Sequence, residues 1–291
     1  MYLNPAYTGN EYYSRGSLEY KNHFPAAGTS FSTYSAMLDT YVDNINSGFG
    51  LMITSDRLGN KAFSYTVAGL AYSYNIRLGE EIFLRTGLAA NLFYGVRNPS
   101  SLKFSDMINI DGSLSFSEEA YERSTALGAD FGAGFLFDLN KKFEIGAAVS
   151  HLGNPRQDLN NWRRPIKIYA RTQYRIPLFS GRSRARMTDI WADLIKTSSV
   201  DPFLYYWQQG KTALWGLGAD VRISVLKFGL SSRQNFKFSA QTSVVNIGYL
   251  SDILEINYAF SIGFLGETFG GMSASSHEIC ITFKIPTNKE E

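Results

Sequence analysis

The segment LEINYAFSIGF places Leu254, Ile256, Tyr258, Phe260, Ile262 and Phe264 at every second position, with Glu255, Asn257, Ala259, Ser261 and Gly263 between them. Successive side chains of an extended chain point to opposite faces, so this spacing predicts a strand with one apolar and one small or polar face. The alternation recurs. Ile166, Ile168, Ala170, Thr172, Tyr174 and Ile176 oppose Lys167, Tyr169, Arg171, Gln173 and Arg175. Leu127, Ala129, Phe131, Ala133, Phe135 and Phe137 oppose Gly128, Asp130, Gly132, Gly134 and Asp138. Ala213, Trp215, Leu217, Ala219, Val221 and Ile223 oppose Gly216, Gly218, Asp220 and Arg222, and Ile279, Ile281, Phe283 and Ile285 oppose Glu278, Cys280, Thr282 and Lys284.

Turn formers punctuate these segments at 56–60 (DRLGN), 77–81 (RLGEE), 138–142 (DLNKK), 208–211 (QQGK) and 249–252 (YLSD). Longer connections are expected at 96–125, 153–165, 179–200 and 266–275. The pattern predicts about fourteen antiparallel strands in up-and-down order. One stretch departs from period two: Met187, Ile190, Trp191, Leu194 and Ile195 recur at spacings of three and four, which predicts a short helix inside a connection, capped by Thr188 or Asp189.

The chemistry of the two faces separates the all-β architectures. A soluble sandwich would turn many Lys, Glu and Thr side chains to water. Here the less apolar face carries Gly, Ala, Ser and Asn with scattered charges of both signs: Arg85, Asn91, Asp130, Glu144, Arg171, Arg175, Asp220, Arg222 and Glu255. The other face is aliphatic and aromatic. An outer-membrane β-barrel has this signature, with its apolar face on lipid, its long loops on one rim and a polar lumen. A large soluble sandwich or propeller is the alternative, and the chain shows no propeller-like repeat. Balanced inner charges predict a lumen filled by ion pairs rather than a wide channel.

Composition agrees with this class. The chain has 291 residues with 15 % aromatics, 18 Tyr, 21 Phe and 26 Gly, and a formal net charge of +2. That charge gives no footprint for nucleic acid. Cys280 is the single cysteine, so an intramolecular disulfide and a thiolate metal site are both excluded. No apolar run is long enough for a spanning helix, and the first 30 residues carry no leader pattern. One domain over 1–291 is expected, with 1–13 as a periplasmic lead-in.

Candidate catalytic groups are sparse. The histidines are His23, His151 and His277, and none sits in a metal-binding spacing. Ser276 and His277 are adjacent on a strand, so they point to opposite faces and cannot form a dyad there. His151 with Asp158, or His23 with nearby serines, has no supporting spacing. The glycines of GADFGAGF and GFGLMITSDRLG open no phosphate loop; they are expected to relieve crowding on a curved sheet. No cofactor or metal is expected, and an enzyme is the least supported class.

Short motifs along the whole chain resemble the PorP/SprF family of outer-membrane proteins linked to the type IX secretion system of Bacteroidetes. NPAYTG, with Asn4, Pro5, Ala6, Tyr7 and Gly9, is similar to the family's near-N-terminal Asn-Pro-Ala-Tyr-Ala-Gly. YKNHFPAAGTSFS stands in the place of its Tyr-Arg-Asn-Gln-Trp segment, with Lys21, His23 and Phe24 as departures. GFGLMITSDRLG contributes the Asp-x-x-Gly turn of Asp56 and Gly59, and ADFGAGFLF the strand with Asp130, Gly132 and Gly134. EIGAAVSHLGNP carries His151 and Pro155, and SSHEICITF the closing Ser276, His277 and Glu278.

The resemblance implies a non-enzymatic outer-membrane component whose secretory leader has been removed. It implies as partners a secreted surface protein, such as an adhesin with a C-terminal sorting domain, the type IX secretion components and the lipid bilayer. A diffusion porin or transporter is the alternative. Asn4, Pro5 and Tyr7 are expected to fold against or into the barrel at its periplasmic end. Pro5 would stiffen the lead-in, while Tyr2 and Tyr7 pack.

Overall fold

A computed structural model of the chain describes residues 1–10, 13–23, 31–59, 62–98, 107–109, 111, 113, 123–156, 163–178, 198–237, 240–265 and 273–286. The period-two segments become one antiparallel sheet that closes on itself. Its strands are β1 (Tyr13–His23), β2 (Phe31–Val42), β3 (Ser47–Leu58), β4 (Phe63–Arg77), β5 (Ile82–Arg97), β6 (Ser124–Leu139), β7 (Phe143–Ser150) and β8 (Lys167–Tyr174). They continue through β9 (Ile176–Pro177), β10 (Ser199–Gln209), β11 (Thr212–Ile223), β12 (Leu226–Asn235), β13 (Ala240–Leu250), β14 (Leu254–Leu265) and β15 (Ser273–Pro286).

Sequence neighbours pair in turn. β15 pairs with β1 from Tyr13↔Pro286 to His23↔Ser276, so the two ends of the chain join the wall. The two-residue β9 follows β8 and pairs with the start of β10. The result is a fourteen-strand barrel with one extra strand. A spanning structure needs this closure, because hydrocarbon offers backbone groups no water to bond.

Side chains divide as the alternation predicts. Leu70, Leu88, Leu92 and Leu230 point outward and are 61, 62, 62 and 64 % exposed, which in water would be a large apolar patch and in a bilayer is the lipid face. Outward aromatics cluster at the two ends. Phe49, Tyr72, Tyr74, Tyr174, Phe228 and Tyr249 stand near one rim, and Tyr20, Tyr34 and Tyr94 near the other. This is the double aromatic girdle of an outer-membrane barrel.

The rims differ. One is closed by tight turns at 43–46, 78–81, 140–142, 224–225 and 251–253, and the connections 98–123, 151–166 and 266–272 leave from the other. The long connection after β9 does not join them. Strand direction alternates, so its ends at Leu178 and Ser198, hydrogen-bonded at 3.0 Å, lie on the short-turn rim with both termini. The helix expected at 187–195 falls outside the described residues. β10 starts at Ser199 and β15 at Ser273, so two of the expected connections are slightly shorter than their loop-like composition suggests.

Wall height is uneven. β4, β5 and β6 have 15, 16 and 16 residues, whereas β7 and β8 have 8 each. Ser150, the last residue of β7, pairs with Gly132 halfway along β6. The wall is therefore lowest where the 151–166 connection leaves it.

Leu70 sits at mid-height on the lipid face, so Leu70→Arg should destabilise the barrel by about 2–4 kcal/mol. Urea unfolding in lipid vesicles measures this; a loss below about 1 kcal/mol would place Leu70 away from the hydrocarbon.

Candidate functional site in the lumen

The N-terminal residues enter the barrel and bond to its inner wall. Pro5–Tyr7 forms one turn of 3-10 helix, capped by Asn4, whose Oδ1 accepts the Ala6 N–H at 2.9 Å. Asn4 is 1 % exposed and donates through Nδ2 to the Phe135 carbonyl on β6 at 2.9 Å. The Tyr7 hydroxyl donates to Glu144 on β7. Burial first, and the Glu144 charge second, raise the Tyr7 phenol above its ordinary value, which keeps it a donor.

The next residues bond in the same way. The Thr8 carbonyl accepts from Ser73 on β4 at 2.7 Å, and the Gly9 N–H donates to Asp39 on β2 at 2.6 Å. Asn10 accepts from Arg85 on β5 at 2.7 Å. Arg15 makes two bonds to Asp39, at 2.9 and 2.7 Å, and reaches the Tyr7 carbonyl at 3.3 Å. Six strands, β1, β2 and β4–β7, thus bond one short segment near the short-turn rim.

Inner-face glycines make room for it. A Cβ on Gly87 would stand 2.3 Å from the Ala6 nitrogen, one on Gly134 2.3 Å from Asn4 Oδ1, and one on Gly48 2.2 Å from the Thr8 carbonyl. Gly9 has φ +59, a left-handed conformation suited to glycine, and backs onto the Thr40 carbonyl. The expectation that these wall glycines serve sheet curvature is corrected here. Gly48 and Gly87 clear a path for the backbone of the N-terminal segment, and Gly134 makes room for the Asn4 side chain.

Above this plug the lumen narrows to a cavity of about 240 Å³ lined by Tyr2, Leu3, Tyr65, Phe93, Asp130, His151, Arg164, Lys167 and Trp207 among others. His151 Nδ1 meets Asp130 Oδ2 at 2.6 Å, with both side chains buried. The other carboxylate oxygen accepts the Phe131 N–H at 2.9 Å. His151, directly after the end of β7, is a left-handed residue with φ +63. The ribbon that follows is pinned by the Arg164 N–H to the Pro155 carbonyl at 2.9 Å, and Arg164 lies 4.5 Å from the centre of the Tyr65 ring.

The wall from β10 round to β1 carries paired charges. Asp201, fully buried, faces Arg175 at 3.3 Å and Arg222 at 3.4 Å. Lys227 meets Asp220 at 3.1 Å and Lys21 meets Glu278 at 3.0 Å. Lys284 pairs with Glu255. Acids and bases of the inner face thus pair at these four places along the wall.

The remaining sequence candidates scatter. Asp56 accepts from Thr33 at 2.7 Å, and Gly59, with φ +61, starts the β3–β4 turn. Gly132 lies against the Val149 carbonyl. Ser276 bonds Ser261 inside the barrel, while His277 bonds the Tyr258 hydroxyl at 2.7 Å on the outside. Asp158 falls outside the described residues, and the partner of His151 is Asp130. Sequence reading missed this pair because the two residues come from different strands. Their sequence separation is 21, and only the β6–β7 register brings them together. Among the described residues no group of three or more His, Cys, Asp or Glu could hold a metal ion.

A family model described as "Type IX secretion system membrane protein PorP/SprF" matches residues 1–283. A search of curated proteins returned no match. Among solved structures, the Acinetobacter baumannii outer membrane protein Omp33 is similar with a TM-score of 0.52 at 9 % identity, over 96 % of this chain and 100 % of that one. The Pseudomonas putida toluene transporter TodX is similar with a TM-score of 0.54 at 9 % identity, over 98 % of this chain and 92 % of that one. At such identity the two structures share the fold alone with this chain.

Gly87→Val should expel the plug, because the added side chain takes the place of the Ala6 backbone. In a Cys280→Ser background, maleimide modification of an Ala6→Cys reporter should be at least about tenfold faster with Gly87→Val than without it. Equal rates would mean that the wall glycines do not hold the segment.

Proposed function

The chain belongs to the PorP/SprF family of type IX secretion system membrane proteins, and from that premise we propose that it is a non-enzymatic barrel that binds or anchors a secreted surface protein, or links the outer membrane to periplasmic parts of the machine. Its location is the outer membrane. The observation that carries the reading is the N-terminal segment inside the lumen: residues 4–10 bond to six strands, and ion pairs line much of the remaining wall. A barrel blocked by its own chain is suited to being a scaffold. Contacts then fall to the connections on its rims, where a rigid wall presents variable segments.

Tight turns are the usual periplasmic feature of such barrels, so the rim with the termini is assigned to the periplasm and the rim of 98–123, 151–166 and 266–272 to the outside. The long connection between Leu178 and Ser198 then faces the periplasm, the side of the secretion machine. The three outer connections face the exported protein. The secreted partner would be an adhesin-like protein carrying a C-terminal sorting domain, as the family resemblance implies.

One feature favours a second reading, a diffusion porin or transporter. The contacts of the N-terminal segment described above fall on β1–β8, and the polar wall of β11–β15 lies outside them. Two measurements separate the readings. Affinity capture of the tagged barrel from native outer membranes should recover an exported surface protein or a secretion component, and recovery of neither defeats the proposal. In planar bilayers the intact barrel should be nearly silent, while deletion of residues 1–10 should raise its conductance several-fold. Steady conductance of the intact chain would favour the porin.

A further inference from the structure

The cavity above the plug presents two cations that make no ion pair among the described residues. Arg164 stands 4.5 Å from the centre of the Tyr65 ring, and the Lys167 ammonium 5.2 Å from that of Tyr2. An aromatic face orients a cation without cancelling its charge. Among the described residues no carboxylate comes within ion-pair distance of either one. Asp130 is the carboxylate of the lining, and both its oxygens are engaged, one by His151 and one by the Phe131 N–H. Asp56, on the neighbouring wall, lies outside the lining and takes the Thr33 hydroxyl.

The same cavity has an aromatic side. Tyr65 and Trp207 line it beside the two cations. Its volume of about 240 Å³ corresponds to about eight waters at ~30 Å³ each, which suits a chain end or a small molecule rather than a folded segment. It lies beneath the lowest part of the wall, where Arg164 reaches the inward-facing Tyr65.

We propose that this chamber binds a carboxylate whose neighbouring atoms are apolar or aromatic. Arg164, with a planar fork of donors, and Lys167 would take the charge, while Tyr65 and Trp207 would pack against the rest. Two sources share this chemistry: a small free carboxylate, and the C-terminal carboxylate of an extended peptide reaching in from the long-loop rim. The peptide source rests on the secreted-partner reading above.

The test is calorimetric titration of the full-length barrel in detergent at low salt. The probe is 3-phenylpropionate, with the neutral 3-phenylpropanol as its control. Saturable binding of the acid is expected, weaker by at least about tenfold for the alcohol and for the Arg164→Met/Lys167→Met double variant, and weaker as salt is added. Lys211→Met, on a nearby turn, should leave the affinity unchanged. Heat-modifiable gel migration checks that the double variant folds. No saturable binding up to about 10 mM, or equal affinity for acid and alcohol, overturns the proposal.

A short peptide ending in phenylalanine identifies the source. Binding with a free but not an amidated C-terminus supports the chain end, and binding of phenylpropionate alone supports the small carboxylate. The two readings also fail separately. If the double variant captures an exported protein as well as the native chain does, partner binding stands and the chamber's part in it falls. If phenylpropionate binds as expected and capture recovers nothing, the chamber stands and the partner reading falls.

Discussion

Every amide and carbonyl that crosses hydrocarbon must bond to the chain itself, and this requirement sets the architecture. It forces strands into a ring, which needs a last ladder between β15 and β1 over the full length of β1. Ring closure then assigns each strand one face to lipid and one to the lumen. Leu70 and Leu88 face outward because the bilayer favours them there, and Arg85 and Asp130 face inward because it does not. Charges admitted to the lumen must be neutralised locally, as in the pairs around Asp201 and Asp220.

The ring encloses more space than its own small side chains fill, and the first ten residues use it. A polar segment in a narrow lumen must satisfy its backbone groups as the wall does. It does so with a capped 3-10 turn and bonds to β1, β2 and β4–β7. Close approach is possible because the wall opposite Ala6, Thr8 and Asn4 lacks side chains at Gly87, Gly48 and Gly134. Segment and wall are thus complementary in shape as well as in hydrogen bonding. A bulky residue at Gly48 or Gly87 would conflict with the N-terminal backbone itself, and one at Gly134 with the capping side chain of Asn4.

Period two made the strands, the lipid face and the inner face legible, since alternation is a local property of the chain. Asn4, Pro5 and Tyr7 were legible as an inward-folding segment from their turn and aromatic character. What they bond to was not. The Asn4 to Phe135 and Tyr7 to Glu144 contacts span more than a hundred residues, and the register that creates them is fixed by ring closure. The side to which the 179–200 connection projects could have been read by counting strand reversals. Its length alone suggested kinship with the long loops of the other rim. The helical spacing at 187–195 is a local signal that the strand ladder does not address.

The uneven wall links the buried Asp130–His151 pair to the chamber above the plug. Burying a carboxylate is costly unless its bonding capacity is met, and here both oxygens of Asp130 are engaged. The pair pins the left-handed His151 against β6, so β7 stops at Ser150 while β6 continues beyond Gly132 to the rim. The connection therefore starts at mid-height on the wall, where the Leu152 N–H still bonds the Phe131 carbonyl of β6 at 3.1 Å, instead of at the top. Only from there can Arg164 reach the inward-facing Tyr65 of β4, while Lys167, the first residue of β8, reaches Tyr2 of the plug. The same geometry that ends one strand early gathers a wall aromatic, the N-terminal segment and two cations around one small space.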